Sequence, residues 1–198
     1  MATLASTPFS ELLAQIAAKT PTPGGGAVAC ATGSLAAALA GMVVSYSLGK
    51  KTLAAHQIDL ERASHTLTNA RDLFLRFADE DAQAYGVVNG LMKLPETDPR
   101  RVAELPSAMA ASIQVPLAAM AAASDLLLLL HSLVPITNRQ LHSDLGIAVD
   151  LTLAAGRASL WNVRVNAGFL SDRAAAERWM GQAGDLLAKS SRTAETAA

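Results

Sequence analysis

Between Ala27 and Leu48 the chain carries 22 residues without a charge, nearly all of them small or aliphatic. A run of this kind reads as a buried helix, packed closely against a neighbour. Small residues recur at every fourth position: Gly25, Ala29, Gly33, Ala37, Gly41, Ser45 and Gly49. At helical spacing this row drifts slowly around the axis and lets another backbone approach. The expected occupant is a helix of the same chain or of a second subunit. Just ahead stands Pro21-Thr22-Pro23-Gly24-Gly25-Gly26. The prolines end a preceding helix and stiffen a turn, and the glycines admit a neighbour or a ligand to the backbone. The N–H groups that open the new helix face whatever the glycines admit.

Composition narrows the class. The chain has 198 residues, of which 51% are hydrophobic but only 4% aromatic. That is enough for one domain whose core is Ala, Leu, Val and Met, residues that favour helix. A net charge of −1 gives no electrostatic case for nucleic acid. Cys30 stands alone, so no disulfide framework is expected, and a reducing, cytoplasmic setting fits. No basic n-region followed by an apolar stretch is seen at the start. Ala27–Leu48 and Val115–Ile136 are both long enough for membrane spans. The first is rich in Ala, Gly and Ser, the second holds Asp125, His131, Pro116 and Pro135, and neither has an aromatic belt. They are read as core helices. A membrane helical protein is the weaker alternative, and detergent-free solubility separates the two.

The periodicity predicts about six helices. A first, with Thr7 or Ser10 as cap, has apolar residues at Phe9, Leu12, Leu13 and Ile16. A second runs from Gly25 to Leu48 and a long third from Leu53 to Met92. Lys93 to Pro106, with three prolines, reads as a loop. The fourth spans Ser107–Leu133, and Pro116 is a candidate kink. The fifth spans Ser143–Ala167, and the sixth starts at a Ser171 or Asp172 cap and ends near Lys189. Residues 9–187 form the core of one domain covering 1–198, and 188–198 are a frayed tail. No segment has strand period. The expectation is an all-α antiparallel bundle with long central helices.

Three acids stand together at Asp79-Glu80-Asp81, about 100° apart around the helix, so at most two face one site. A partly buried carboxylate can serve as general base, though a solvated face is the plainer reading. In His142-Ser143-Asp144, Ser143 is a candidate N-cap and Asp144 falls in the first helical turn. Asn162 and Asn166 are spaced i,i+4 on one face, where amides are costly without partners. His56, His65, His131 and His142 have no metal-binding spacing, and the glycines match neither GxGxxG nor a P-loop.

Read together, the pieces resemble the cyclodeaminase/cyclohydrolase family of folate enzymes, over about Phe9 to Leu187. The resemblance rests on the order of Thr20–Gly26, Ala36–Val43, Gly49-Lys50-Lys51, Asp81–Tyr85, Val115-Pro116-Leu117, Ser143-Asp144 and Asn162–Asn166. It implies a helical fold, a homodimer, and a tetrahydrofolate substrate with no metal and no further cofactor. Asp81 fits the family pattern better than Asp79. This chain reads Thr137-Asn138 where relatives often have Gly-Asn. With Asp81 as base, the resemblance casts Asp144 as partner of the pterin. Asn138, Asn162 and Asn166, with Ser143, would orient substrate or water. Lys50 or Lys51 would meet the glutamate tail, and Pro23 with Gly24, Gly25 and Gly26 would let the flat ring approach. The implied reaction is hydrolysis of 5,10-methenyltetrahydrofolate. Cyclodeamination of formiminotetrahydrofolate is the alternative, and a non-catalytic folate-binding dimer is a second.

Overall fold

A computed structural model describes residues 3–170 and 172–197. Among them are six α-helices and no strand: α1 (Phe9–Ala17), α2 (Gly25–Ser45), α3 (Gln57–Met92), α4 (Pro99–Leu133), α5 (His142–Gly168) and α6 (Arg173–Ala197). Helices α2 to α5 form a four-helix bundle in which α2 packs on α3 and α5, and α4 packs on the same two from the opposite side. Helix α6 closes against α4 and α5. The main core fills the bundle with Val43, Leu60, Leu67, Phe74, Leu127 and Leu130, and a second cluster around Ile113, Met120 and Val163 lies under α6.

The occupant of the small-residue row is α3 of the same chain. A Cβ on Gly33 would stand 2.7 Å from the ring of Phe74, and one on Gly26 would overlap the carboxyl of Asp81. Glycine is thus needed where α3 presents its bulk. The requirement fades along the helix, since a Cβ on Gly41 would meet nothing within 4 Å. Gly33→Ala should therefore destabilise the fold by about 1–3 kcal/mol through overpacking against the Phe74 ring. Gly41→Ala should be neutral or stabilising. Urea denaturation of the two variants would check the contrast, and equal effects would sink it. Gly49, at φ +75°, closes the turn after α2, where its N–H donates to Gln57 Oε1 at 2.7 Å.

Several boundaries differ from expectation. Helix α4 starts at Pro99, so most of the proline-rich stretch is helical rather than loop. Pro99 occupies the first helical turn, where its missing N–H costs nothing. Asp98 caps the helix, accepting from the Arg100 and Arg101 N–H groups at 2.9 and 3.3 Å. Pro106 then deprives only the Val102 carbonyl, and Val102 lies on the exposed side of the helix. Neither Thr7 nor Ser10 caps α1. Pro8 holds that position, and the Thr7 hydroxyl donates to the Thr3 carbonyl. Ser143 is not an N-cap either, because α5 begins at His142, with Leu141, the last residue of a 3-10 turn, in the cap position. Of the two cap candidates for α6, Ser171 lies outside the described residues, and Asp172 accepts from the Ala175 N–H at 3.0 Å. The frayed tail is instead the last part of α6, held by buried Ser190 and Ala194.

Both long apolar helices, α2 and α4, are long and apolar enough to cross a membrane, yet about half of each is buried within the bundle. Their hydrophobicity is spent on the core. The first helix is the exception: Leu12 packs inward while Phe9 and Leu13 are exposed.

Candidate active site

A cavity of about 350 Å³ opens where α2 begins, between the C-terminal third of α3 and the C-terminal half of α5. The PTPGGG turn forms one wall through Pro21, Thr22, Gly24, Gly25 and Gly26. Asp81, Tyr85 and Asn89 line it from α3, four residues apart and so on one face. Asn162, Val165, Asn166 and Phe169 line it from α5, and Met109 and Ser112 from α4. Helix α2 starts here with Gly24 as N-cap and no side-chain cap, so its first-turn N–H groups remain available as donors.

The three adjacent acids separate as their angular spacing demands. Asp81 faces the cavity. Asp79 accepts the Leu4 N–H at 2.9 Å and so ties the N-terminal segment to α3. Glu80 is exposed. Burial raises the Asp81 carboxyl above its ordinary 3.8. Its charged form lacks a neutralising cation here, and no basic residue is among the cavity's lining. Nearby Cys30 is 3% exposed, and its thiol is pushed up to about 12, first by burial and then by the charges of Asp81 and Glu80. It stays protonated at neutral pH and is no nucleophile.

The position of Asn166 has a covalent origin on another helix. Pro116 sits inside α4 and has no N–H to offer the carbonyl of Ser112, four residues earlier. That carbonyl accepts instead from Asn166 Nδ2 at 2.7 Å. The amide is thereby fixed, and its Oδ1 is left as a free acceptor at the cavity. Asn162 stands against the glycine turn, and a Cβ on Gly25 would lie 3.8 Å from Asn162 Oδ1.

The structure thus brings together Asp81, Gly24, Gly25, Gly26, Asn162 and Asn166. Pro23 turns away and lines two neighbouring depressions, one with Val28 and Trp161, the other with Leu4 and Asp79. The remaining candidates lie at the other end of the bundle within this chain. Lys50 and Lys51 follow the C-terminus of α2, a helix of 21 residues and about 31 Å. Asp144 and Ser143 open α5, with Asp144 about 27 Å along the helix from Asn162. Asn138 is beside them. Its N–H donates to Ser47 Oγ at 2.9 Å, and its Oδ1 accepts from Gln140 at 3.4 Å. Sequence reasoning missed Tyr85, Asn89, Ser112 and Met109. The i,i+4 continuation from Asp81 would have found the first two.

Residues 8–184 match the family model described as formiminotransferase-cyclodeaminase. A methenyltetrahydrofolate cyclohydrolase of Methylorubrum extorquens is 32% identical over 178 residues, covering 88% of this chain and 86% of that protein. A formimidoyltransferase-cyclodeaminase of Gallus gallus is 27% identical over 173 residues, covering 85% of this chain but 32% of its relative. The chain therefore spans about a third of such two-activity proteins. The crystal structure of formiminotetrahydrofolate cyclodeaminase from Thermotoga maritima superposes with a TM-score of 0.88 at 26% identity, covering 98% of this chain and 94% of that one.

Proposed function

The chain belongs to the formiminotransferase-cyclodeaminase family, and from that premise we propose that its cavity hydrolyses 5,10-methenyltetrahydrofolate to 10-formyltetrahydrofolate. The observation that carries the reading is a half-buried carboxylate, Asp81, facing a cavity without a cation of its own. The substrate supplies that cation. Its methenyl carbon is shared between two nitrogens as an amidinium. Bound beside Asp81, the positive charge and the carboxylate compensate each other.

The steps follow from that pairing. Water adds its oxygen to the methenyl carbon and loses a proton to Asp81, which acts as general base. The bond from that carbon to N5 then breaks, N5 takes up a proton, and the carbon leaves as the formyl group on N10. The net release is one proton. In this reading the Oδ1 of Asn166 and the amide of Asn162, both lining the cavity, orient the water and the amidinium edge. The backbone N–H groups of α2's first turn can receive the forming carbonyl. The reaction draws on side chains and water, with no cofactor beyond the folate substrate.

Cyclodeamination of formiminotetrahydrofolate is the second reading, and the close superposition on a cyclodeaminase favours it. Both reactions pass through a tetrahedral carbon at the same place. Mixing purified protein with each substrate decides between them. Loss of the methenyl chromophore above the buffer rate supports hydrolysis. Its appearance from the formimino compound, with ammonia, supports cyclodeamination.

We also propose a cytoplasmic homodimer. Exposed Val28 and Trp161 flank one depression on the α2–α5 side, and Leu35 and Ile147 are exposed on the same two helices. Such a face suits a second copy. Asp144, Asn138 and the two lysines could reach a cavity only from that copy. A monomer by light scattering would remove both ideas.

A further inference from the structure

A second cavity, of about 460 Å³, adjoins the first and shares Met109 and Phe169 with it. It runs between the N-terminal part of α4 and the start of α6, walled by Leu105, Pro106 and Trp179, with Arg101 at its rim. Resting on the folate reading above, we infer that this groove binds the aminobenzoyl-glutamate portion of the substrate, with Arg101 receiving its carboxylate.

The chemistry of the groove matches both parts of that ligand. An aryl amide needs flat apolar walls, which Trp179, Pro106 and Leu105 provide. A carboxylate needs a preorganised cation. Arg101 is the one basic side chain among the described residues lining either cavity. Its side chain is only 19% exposed. Nη1 donates to the Leu94 carbonyl at 2.7 Å, which fixes the guanidinium plane. Nη2 has only Glu96 opposite, at 3.8 Å and with that side chain 89% exposed, a contact too long for a hydrogen bond. The other acid of the groove, Asp172, is committed to the Ala175 N–H. A fork whose Nη1 is held by the Leu94 and Met92 carbonyls, at 2.7 and 3.4 Å, and whose Nη2 has unfilled donors is the geometry that takes a carboxylate. Within this chain the two lysines first expected to meet the tail stand about 30 Å from the glycine turn, at the far end of α2. The pterin then sits at the glycine turn and the tail runs over Met109 and Phe169, away from the Asp81 charge.

The test compares two substrates that differ only in the tail: methenyltetrahydrofolate and the methylamide of methenyltetrahydropteroic acid, which keeps the aryl amide but has no carboxylate. Arg101→Met should raise KM for the first about tenfold, leave kcat within about twofold, and leave KM for the second unchanged. Arg101→Lys should recover part of the loss. Since Arg101 also holds a backbone carbonyl, Ala175→Glu serves as an independent probe. It places a carboxylate in the first turn of α6, where acids are tolerated, yet inside the groove. It too should raise KM for the glutamate-bearing substrate alone. Equal shifts on both substrates, or none on either, would overturn the assignment while leaving the reaction intact. Absence of wild-type turnover on both substrates would sink the folate reading, and the tail site with it.

Discussion

Asp81→Asn should lower kcat by a factor of about 10² to 10⁴, and KM for the cationic methenyltetrahydrofolate should rise as well, because its counter-charge is lost. The amide keeps the shape and the polar contacts of the carboxyl but can neither take the proton of water nor offset the amidinium charge. The same change should make the protein more stable at neutral pH. Burial raises the Asp81 carboxyl above its ordinary 3.8, so folding favours the protonated form. Its contribution to stability is complete below that ordinary value and is lost as pH rises through the higher folded value. At pH 7 to 8 the buried charge is a liability, and asparagine removes it. Thermal melting should show a gain of roughly a few degrees at pH 8 that disappears toward pH 4. In the wild type, the acidic limb of kcat/KM should lie above the ordinary carboxylate range, because the base must be ionised to act. A variant with near-normal turnover would sink the assignment of the base.

Gly26→Ala should abolish most of the activity by displacing Asp81, with the carboxylate itself left in the chain. A Cβ at this position would overlap the Asp81 carboxyl, so the acid must leave its place or the two helices must part. A displacement of about 1 Å in a catalytic group costs on the order of 10²-fold, and the overpacking costs about 1–3 kcal/mol of stability. Gly25→Ala separates this effect from ligand approach. Its Cβ would stand 3.8 Å from Asn162 Oδ1, an ordinary contact. Turnover of the two variants with melting curves as control gives the comparison. If Gly26→Ala is folded and fully active, Asp81 does not act from where it stands.

Much of this was legible in the sequence, for identifiable reasons. The helices declared themselves because apolar period and small-residue spacing are local properties. Gly33 against Phe74 is the outcome of a row of small residues visible before any coordinates, and Gly26 against Asp81 that of the glycine turn. Asn162 and Asn166 were legible as a pair because four residues bring side chains to one face. Proline-based boundaries were misread, since Pro99 begins a helix and Pro106 rides along it on its exposed side. What a proline does depends on which carbonyl it deprives and what replaces the bond. The grouping of Lys50, Lys51, Asn138, Ser143 and Asp144 with the glycine turn came from the family resemblance. Simple length argues otherwise for one chain: a helix that starts at Gly25 puts its far end about 31 Å away. The second cavity was beyond reach, because it depends on how α6 lies across α4.

The hydrogen bond from Asn166 to the Ser112 carbonyl makes Pro116 and Asn166 a heritable pair. Neither can change freely while the other stays. Pro116→Ala would return an N–H to Ser112 and release the amide; changing Asn166 would strand a carbonyl in mid-helix. In a double-mutant cycle their effects on turnover should therefore fall well short of additive. Lineages that lose one should be released from keeping the other, and anyone transplanting this site into a new bundle must carry both, 50 positions apart, as a single unit.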